Sequence, residues 1–162
     1  MMRTTLLGVL TALLVSCATS SPRVTNILGV HLDARREAVH ETLAKTATLE
    51  REEKRQEVWR LANDAHYASL IVGYTPEGNV RFVTAVAKRD GVPVHYADVS
   101  DIADADHRAT GQSHTYTWTT GVPPHYLIAI GGAERVEYLS LKKAPPTTVA
   151  RKGDPDDDDD DD

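Results

Sequence analysis

Cysteine is almost absent from this chain: Cys17 is the only one among 162 residues. A single thiol excludes a disulfide within the chain and any zinc site built on several cysteines. Also missing is an apolar run of the roughly 20 residues that a membrane-crossing helix needs. The run from Leu6 to Ser16 has eleven residues. There is no strong field of one sign either. The formal net charge of −6 is set by the C-terminal DPDDDDDDD, which holds eight of the 24 acidic residues. Setting aside those aspartates and Arg3, residues 17–153 carry 17 Lys+Arg against 16 Asp+Glu. A body this close to neutral has no basic footprint for nucleic acid. Aromatics are few, with one phenylalanine and two tryptophans.

What is present starts with the N-terminus. Met1, Met2 and Arg3 precede the apolar run, whose length fits the h-region of a signal peptide. Small residues from Ser16 to Ser21 follow it. Leu14-Val15-Ser16-Cys17 resembles the bacterial lipobox, in which cleavage falls between Ser16 and Cys17 and the cysteine carries the lipid. The resemblance implies a signal peptide over 1–16, acylation of Cys17 and a lipid-anchored protein of the cell envelope. Stable anchoring takes more than one acyl chain, which a diacylated or triacylated cysteine supplies. Ala18 stands where an aspartate would hold a lipoprotein at the inner membrane. In a Gram-negative organism this favours the outer membrane, facing the periplasm. Residues 17–25, with Pro22, read as a tether.

The body reads as α+β over residues 26–144. In ARREAVHETLAKTATL, Ala34, Ala38, Val39, Leu43 and Ala47 share one helical face, which predicts a helix over about 34–48. Asp33 is placed to cap it, and Glu41 and Lys45 to pair on its outer face. The charged stretch Glu50 to Glu57 reads as solvated, as a helix extension or a loop. Strands are expected at 58–62, 69–74 and 80–87, with a hairpin turn at Thr75-Pro76-Glu77-Gly78-Asn79. Alternation places Val80, Phe82, Thr84 and Val86 on one face. A second helix is expected over about 98–109, capped near Ser100, and then strands at 115–119, 126–130 and 136–141. The sum is an antiparallel sheet of about six strands, with two helices packed on one face and the other face open to solvent. Trp59, Phe82, Trp118 and Tyr138 are expected mainly in the helix-facing core.

The halves echo one another. LIVGY leads to VRFVT as LIAIG leads to VEYLS, and each hairpin follows a strand with a tryptophan. This suggests tandem helix-plus-three-strand units over 26–90 and 91–144. The alternative, that any two antiparallel hairpins look alike at this level, stays open.

The lipobox, the tether and ILGVHLDARREAVHETL followed by strands resemble small outer-membrane lipoproteins of the SmpA/OmlA (BamE-like) type. Gly29, Val30, Leu32, Val39 and Leu43 carry the likeness, and Asp33 stands where the family has glycine. The tandem echo is similar to the β-lactamase-inhibitor-like arrangement, which repeats such a unit. The resemblance implies a non-enzymatic envelope protein that works through protein contacts. It implies no particular partner.

Chemistry-bearing residues are sparse. Asp98, Asp101 and Asp104 recur every three residues beside His107, a weak set for a divalent cation. The plainer reading is a solvated acidic helix start. His31 and Asp33 are weaker still. No G-x-S-x-G elbow or phosphate-binding glycine motif exists, and Ser113-His114 is only an adjacency. No catalytic residue, metal site or cofactor is therefore expected. The main expectation is a protein-binding or assembly-support module. The alternatives are an inhibitor of an envelope enzyme, and a small metal-dependent or hydrolytic enzyme using His95, His107, His114 or His125 with nearby carboxylates. The tail, 145–162, cannot bury apolar surface and is expected to be disordered.

The lipobox reading has a direct test. Metabolic labelling with palmitate should mark the native protein and not Cys17→Ser, and that substitution should release the protein from membranes. Equal labelling of both would remove the anchor.

Overall fold

The computed structural model describes residues 24–121 and 123–143. The signal segment, Ser16, Cys17, most of the tether and the tail 145–162 lie outside these residues. A short ribbon comes first: β1 (Asn26–Ile27) pairs with β2 (Val30–His31). Helix α1 (Arg36–Leu43) is followed by four strands: β3 (Ala47–Glu53), β4 (Gln56–Leu61), β5 (Tyr67–Tyr74) and β6 (Val80–Ala87). The second half starts with the four-residue helix α2 (Tyr96–Val99) and a single 3-10 turn, Ile102–Asp104. Four more strands follow: β7 (Asp106–Thr110), β8 (Ser113–Thr120), β9 (His125–Gly131) and β10 (Val136–Lys143).

All eight long strands form one antiparallel sheet in the order β3-β4-β5-β6-β10-β9-β8-β7. Each half is a meander, and the two meanders join through their last strands. Thr84 on β6 lies opposite Ser140 on β10. These residues hold equivalent places in VRFVT and VEYLS. The register is therefore two-fold symmetric about this pair. Trp59 faces Leu70 in one half as Trp118 faces Leu127 in the other.

This corrects the expected fold class. The sheet has eight strands, not about six, each half contributes four strands and not three, and among the described residues α1 is the one helix longer than four residues. Two expected helices are the source of the difference. The first ends at Leu43, so Lys45 falls beyond it and cannot complete a helical pair with Glu41. From Ala47 the chain is the edge strand β3, whose Glu50, Arg51, Glu52 and Glu53 are exposed. An edge strand accepts charges that an interior strand could not. Over 98–109, the carboxylates of Asp98 and Asp101 accept the backbone N–H groups of His95 and Ala103. Such side-chain bonds compete with helix continuation, and the chain turns into the exposed edge strand β7.

Asp33 does not cap α1. It adopts φ +65° and ion-pairs with Lys143. The start of α1 is stitched to the β5–β6 turn instead: the Asp33 amide donates to the Val80 carbonyl and the Arg36 amide to the Gly78 carbonyl. Gly78, at φ +84°, provides the expected turn.

The core lies on the face that carries α1. Val39 and Leu43 of the helix and Ile27 and Val30 of the ribbon pack with Trp59, Leu70, Val72, Tyr74, Val83 and Ala85. Trp118, Leu127, Ala129, Val136 and Leu141 continue the same cluster across the seam. Both tryptophans are thus core residues, as expected. Phe82 and Tyr138 are not among the core residues. A register shift opposite Tyr74 moves Val80 into the core, away from the face shared by Phe82, Thr84 and Val86.

Leu70 and Leu127 are fully buried at matching places. Leu70→Ala and Leu127→Ala should each cost about 2–5 kcal/mol in denaturant unfolding. Because the seam makes the core continuous, Trp59→Phe and Trp118→Phe proteins, each with one remaining fluorescent reporter, should show a single transition by fluorescence and circular dichroism alike. Non-coincident curves would show that the halves unfold separately.

Candidate functional site

Residues alternate across a strand, so the face opposite the core is built from the partners of the buried set. Its central row runs Arg51, Val58, Ile71, Thr84, Ser140, Ile128, Thr117, Asp106 from edge to edge. One flanking row runs Arg60, Ser69, Val86, Tyr138, Ile130, Thr115, Arg108. The other runs Gln56, Gly73, Phe82, Lys142, Tyr126, Thr119. None of these residues belongs to the core cluster. Val58, Ile71, Phe82, Val86, Tyr126, Ile128 and Ile130 are only half-buried, and Tyr138 is 44% exposed. The two hydroxyls at the centre bond to each other, Thr84 Oγ1 to Ser140 Oγ at 2.8 Å. They satisfy one another in the middle of an apolar surface.

Phe82 lies across Gly73, where a Cβ would collide with its ring. The bare glycine lets the ring lie flat on the sheet. The Arg81 guanidinium sits over the same ring, 5.5 Å from its centroid. Arg81, Phe82, Thr84, Ser140, Lys142 and Lys143 line an open groove of about 500 Å³ at this end of the face.

Beneath the sheet lies the second notable feature. Glu57, expected in a solvated stretch, is fully buried. Alternation in QEVWRL carries it inward with Trp59, a pattern visible in the sequence once β4 starts at Gln56. Tyr74 Oη donates to Glu57 Oε2 at 2.6 Å and Trp59 Nε1 donates to the same oxygen at 3.1 Å. His40 Nε2 lies 2.8 Å from Oε1, and Arg36 Nε 3.4 Å away without hydrogen-bond geometry. Arg36 also reaches Glu52 at 3.3 Å and stacks over the Tyr74 ring at 4.5 Å. Burial alone would push the Glu57 carboxyl up. The hydrogen bonds from Tyr74, His40 and Trp59, with the His40 charge, outweigh it and hold the carboxyl below its usual range. Burial and the Glu57 carboxylate together drive the Tyr74 phenol well above its ordinary value. Among the described residues, the one hydroxyl bonded to this carboxylate is the Tyr74 phenol, and no serine, threonine or cysteine joins it. The arrangement clamps α1 onto β4 and β5 and has the form of neither a triad nor a metal site.

The weak metal set is dispersed. Asp98 and Asp101 are engaged by backbone amides, and His107 stacks on Tyr116 with its Nε2 3.1 Å from His114 Nδ1. Among the described residues, no three His, Cys, Asp or Glu side chains converge as metal ligands. His95 bonds the Glu134 carbonyl through its Nδ1, and that contact brings no carboxylate to the ring. Cys17 and Ser16 are outside the described residues. The open face was expected in outline, but its members Val58, Ile71, Ile128 and Ile130 were not singled out. Period-two alternation within each strand is the signal that names them.

Neither a scan against protein-family models nor searches of curated proteins and of solved structures found a match to this chain.

The clamp predicts a pH profile. Glu57 has a depressed carboxyl, so its contribution should be present above about pH 4.5, the unfolded value, and fall away in more acid solution. Tyr74 has a raised phenol, so stability should also decline above about pH 10, where the unfolded chain ionises and the folded one does not. Urea unfolding across pH should show both limbs. Glu57→Gln should cost about 3 kcal/mol at neutral pH and flatten the acid limb. Tyr74→Phe should shrink the alkaline limb and leave the part due to Tyr67 and Tyr96, which burial also raises. An unchanged acid limb in Glu57→Gln would remove this account.

Proposed function

We propose that this chain is a non-enzymatic protein-binding or assembly-support module of the cell envelope, anchored by lipid on Cys17 and engaging its partner through the open sheet face. The observation that carries the reading is the unpartnered face itself. Eight strands about 4.8 Å apart span roughly 34 Å, and strands of five to eight residues average about 23 Å in length. The product, about 800 Å², is what one partner contributes to a standard protein interface. The face has an apolar centre and cations at its margins, Arg60, Arg81, Lys142 and Arg108. Of these, Arg60 alone is engaged by a carboxylate, that of Glu50, among the described residues. The fitting partner is a folded envelope protein that presents apolar side chains ringed by carboxylates. The Glu57 clamp and the core leave the backbone beneath little freedom, which limits the ordering cost of binding.

An inhibitor of an envelope enzyme would use the same face. Two four-stranded halves meeting at a symmetric seam favour that version, since the β-lactamase-inhibitor-like arrangement is tandem. It differs only in the identity of the partner. An enzymatic reading has less to draw on: the buried carboxylate is engaged by Tyr74, Trp59 and His40, and although His66 and Asp98 line one cavity, no three His, Cys, Asp or Glu side chains converge among the described residues.

Ile71 and Ile128 flank the central hydroxyls at symmetric places. Ile71→Glu with Ile128→Glu should leave the fold intact, because both side chains are outside the core. Crosslinking in membranes should then recover a defined partner with the native protein, and at least about tenfold less with the double substitution, equivalent to roughly 1.4 kcal/mol. Glu137→Gln, at an exposed site off these rows, serves as the control. Equal recovery from all three proteins would place the interface elsewhere.

A further inference from the structure

We infer that the aspartate run of this chain, Asp154–Asp162, docks in the cationic groove at the end of the open face. The groove is lined by Arg81, Phe82, Thr84, Ser140, Lys142 and Lys143. Lys143 is neutralised by Asp33. Arg81 and Lys142 stand exposed and make no ion pair with any described carboxylate. The inference rests on the proposed function only for its consequence, that the tail covers part of the binding face.

Three features select the tail as occupant. The first is charge: the run carries eight of the chain's 24 acidic residues, in a body that is otherwise balanced. The second is position. Strand β10 ends at Lys143, itself a wall of the groove. The third is reach. Asp154 lies eleven residues beyond Lys143, a span of at most about 37 Å when extended and about 18 Å as a flexible chain. Both cover the distance back to Arg81 and Lys142, and a tether of this length gives an effective concentration in the millimolar range. Contacts between exposed carboxylates and two cations are individually small and screened by salt, so docking is reversible. A partner with carboxylates at its rim would displace the tail by supplying the same chemistry with apolar contacts added.

The test uses the processed chain with Cys17→Ser, so that no lipid is present. Replacing the eight tail aspartates by asparagine should shift the amide resonances of Arg81, Phe82, Thr84, Ser140 and Lys142. The free peptide DPDDDDDDD, added to that neutralised chain, should reverse the shifts at millimolar concentration. Raising salt from about 0.05 to 0.5 M should erase both effects as the screening length falls several-fold. Arg81→Gln with Lys142→Gln should abolish peptide binding in a chain whose other resonances stay put. Shifts that are absent, lie elsewhere or ignore salt would overturn the inference. The crosslinking experiment judges the binding face separately. If the tail maps to the groove and the Ile71→Glu, Ile128→Glu protein still captures its partner, the tail site stands and the partner reading falls. If both hold, the neutralised chain should recover several-fold more partner than the native one.

Discussion

The pairing of β6 with β10 is the constraint on which the rest of the molecule depends. It joins two meanders by their final strands, with Thr84 opposite Ser140 at the centre. Antiparallel pairing of equivalent strands is a two-fold operation about an axis normal to the sheet. Such an axis keeps both halves' helical segments on one side. The core cluster therefore crosses the seam without a break, from Val83 and Ala85 to Leu139 and Leu141. For the same reason the opposite face receives no covering layer from the described residues of either half. The bare surface is a product of topology, not a local lapse in burial.

The symmetry stops at the polar groups. Glu57 and Tyr116 hold matching places, each two residues before its tryptophan. In the first half the inward carboxylate is answered by Arg36 and His40, on a helix long enough to bring both over it. In the second half a short α2 contributes Tyr96, which meets Tyr116 ring to ring at 4.4 Å. The first half is thus fixed by charge-assisted bonds to a buried carboxylate, and the second by aromatic contact together with the Tyr96 hydroxyl on the Gly132 carbonyl. A buried carboxylate with one partner removed is costly, whereas a change in the tilted contact of buried Tyr96 with half-buried Tyr116 leaves no charge unpaired. Sensitivity to pH and to substitution is concentrated beneath α1.

Much of this was legible in the sequence, and what was not has physical reasons. Strand locations from Val58 to Tyr74 and from Thr115 to Leu141 followed from β-branched and aromatic runs with turn residues between them. The echo between VRFVT and VEYLS marked the two strands that meet at the seam. The edge strands were hidden, because Ala47–Glu53 and Asp106–Thr110 are charged sequences that pair on one side only. Their hydrophobic signal is minimal where pairing, not burial, makes the strand. Glu57 was hidden by its neighbours, since a glutamate amid EREEKRQE reads as solvated unless the strand's phase is known. The face parity of Val80 was altered by a bulge, which the turn sequence does not reveal.

The charged edges and the apolar face are two answers to one problem. An open eight-stranded sheet offers two hazards, unpaired edges and an uncovered surface. On the edges the chain places Glu50, Arg51, Glu52 and Glu53 on β3 and Asp106, His107 and Arg108 on β7, which disfavour strand addition. On the face it makes no such provision at the centre, where Ile71 and Ile128 stand beside a self-satisfied hydroxyl pair. Charges reach only the margins. A sequence that shields its edges and leaves the middle of its face apolar has not reduced stickiness in general. It leaves a half-buried apolar row in the middle of one face, with Arg60, Arg81, Lys142 and Arg108 toward its margins, while the exposed Leu28, Val92 and Ile102 lie outside the strands of the sheet.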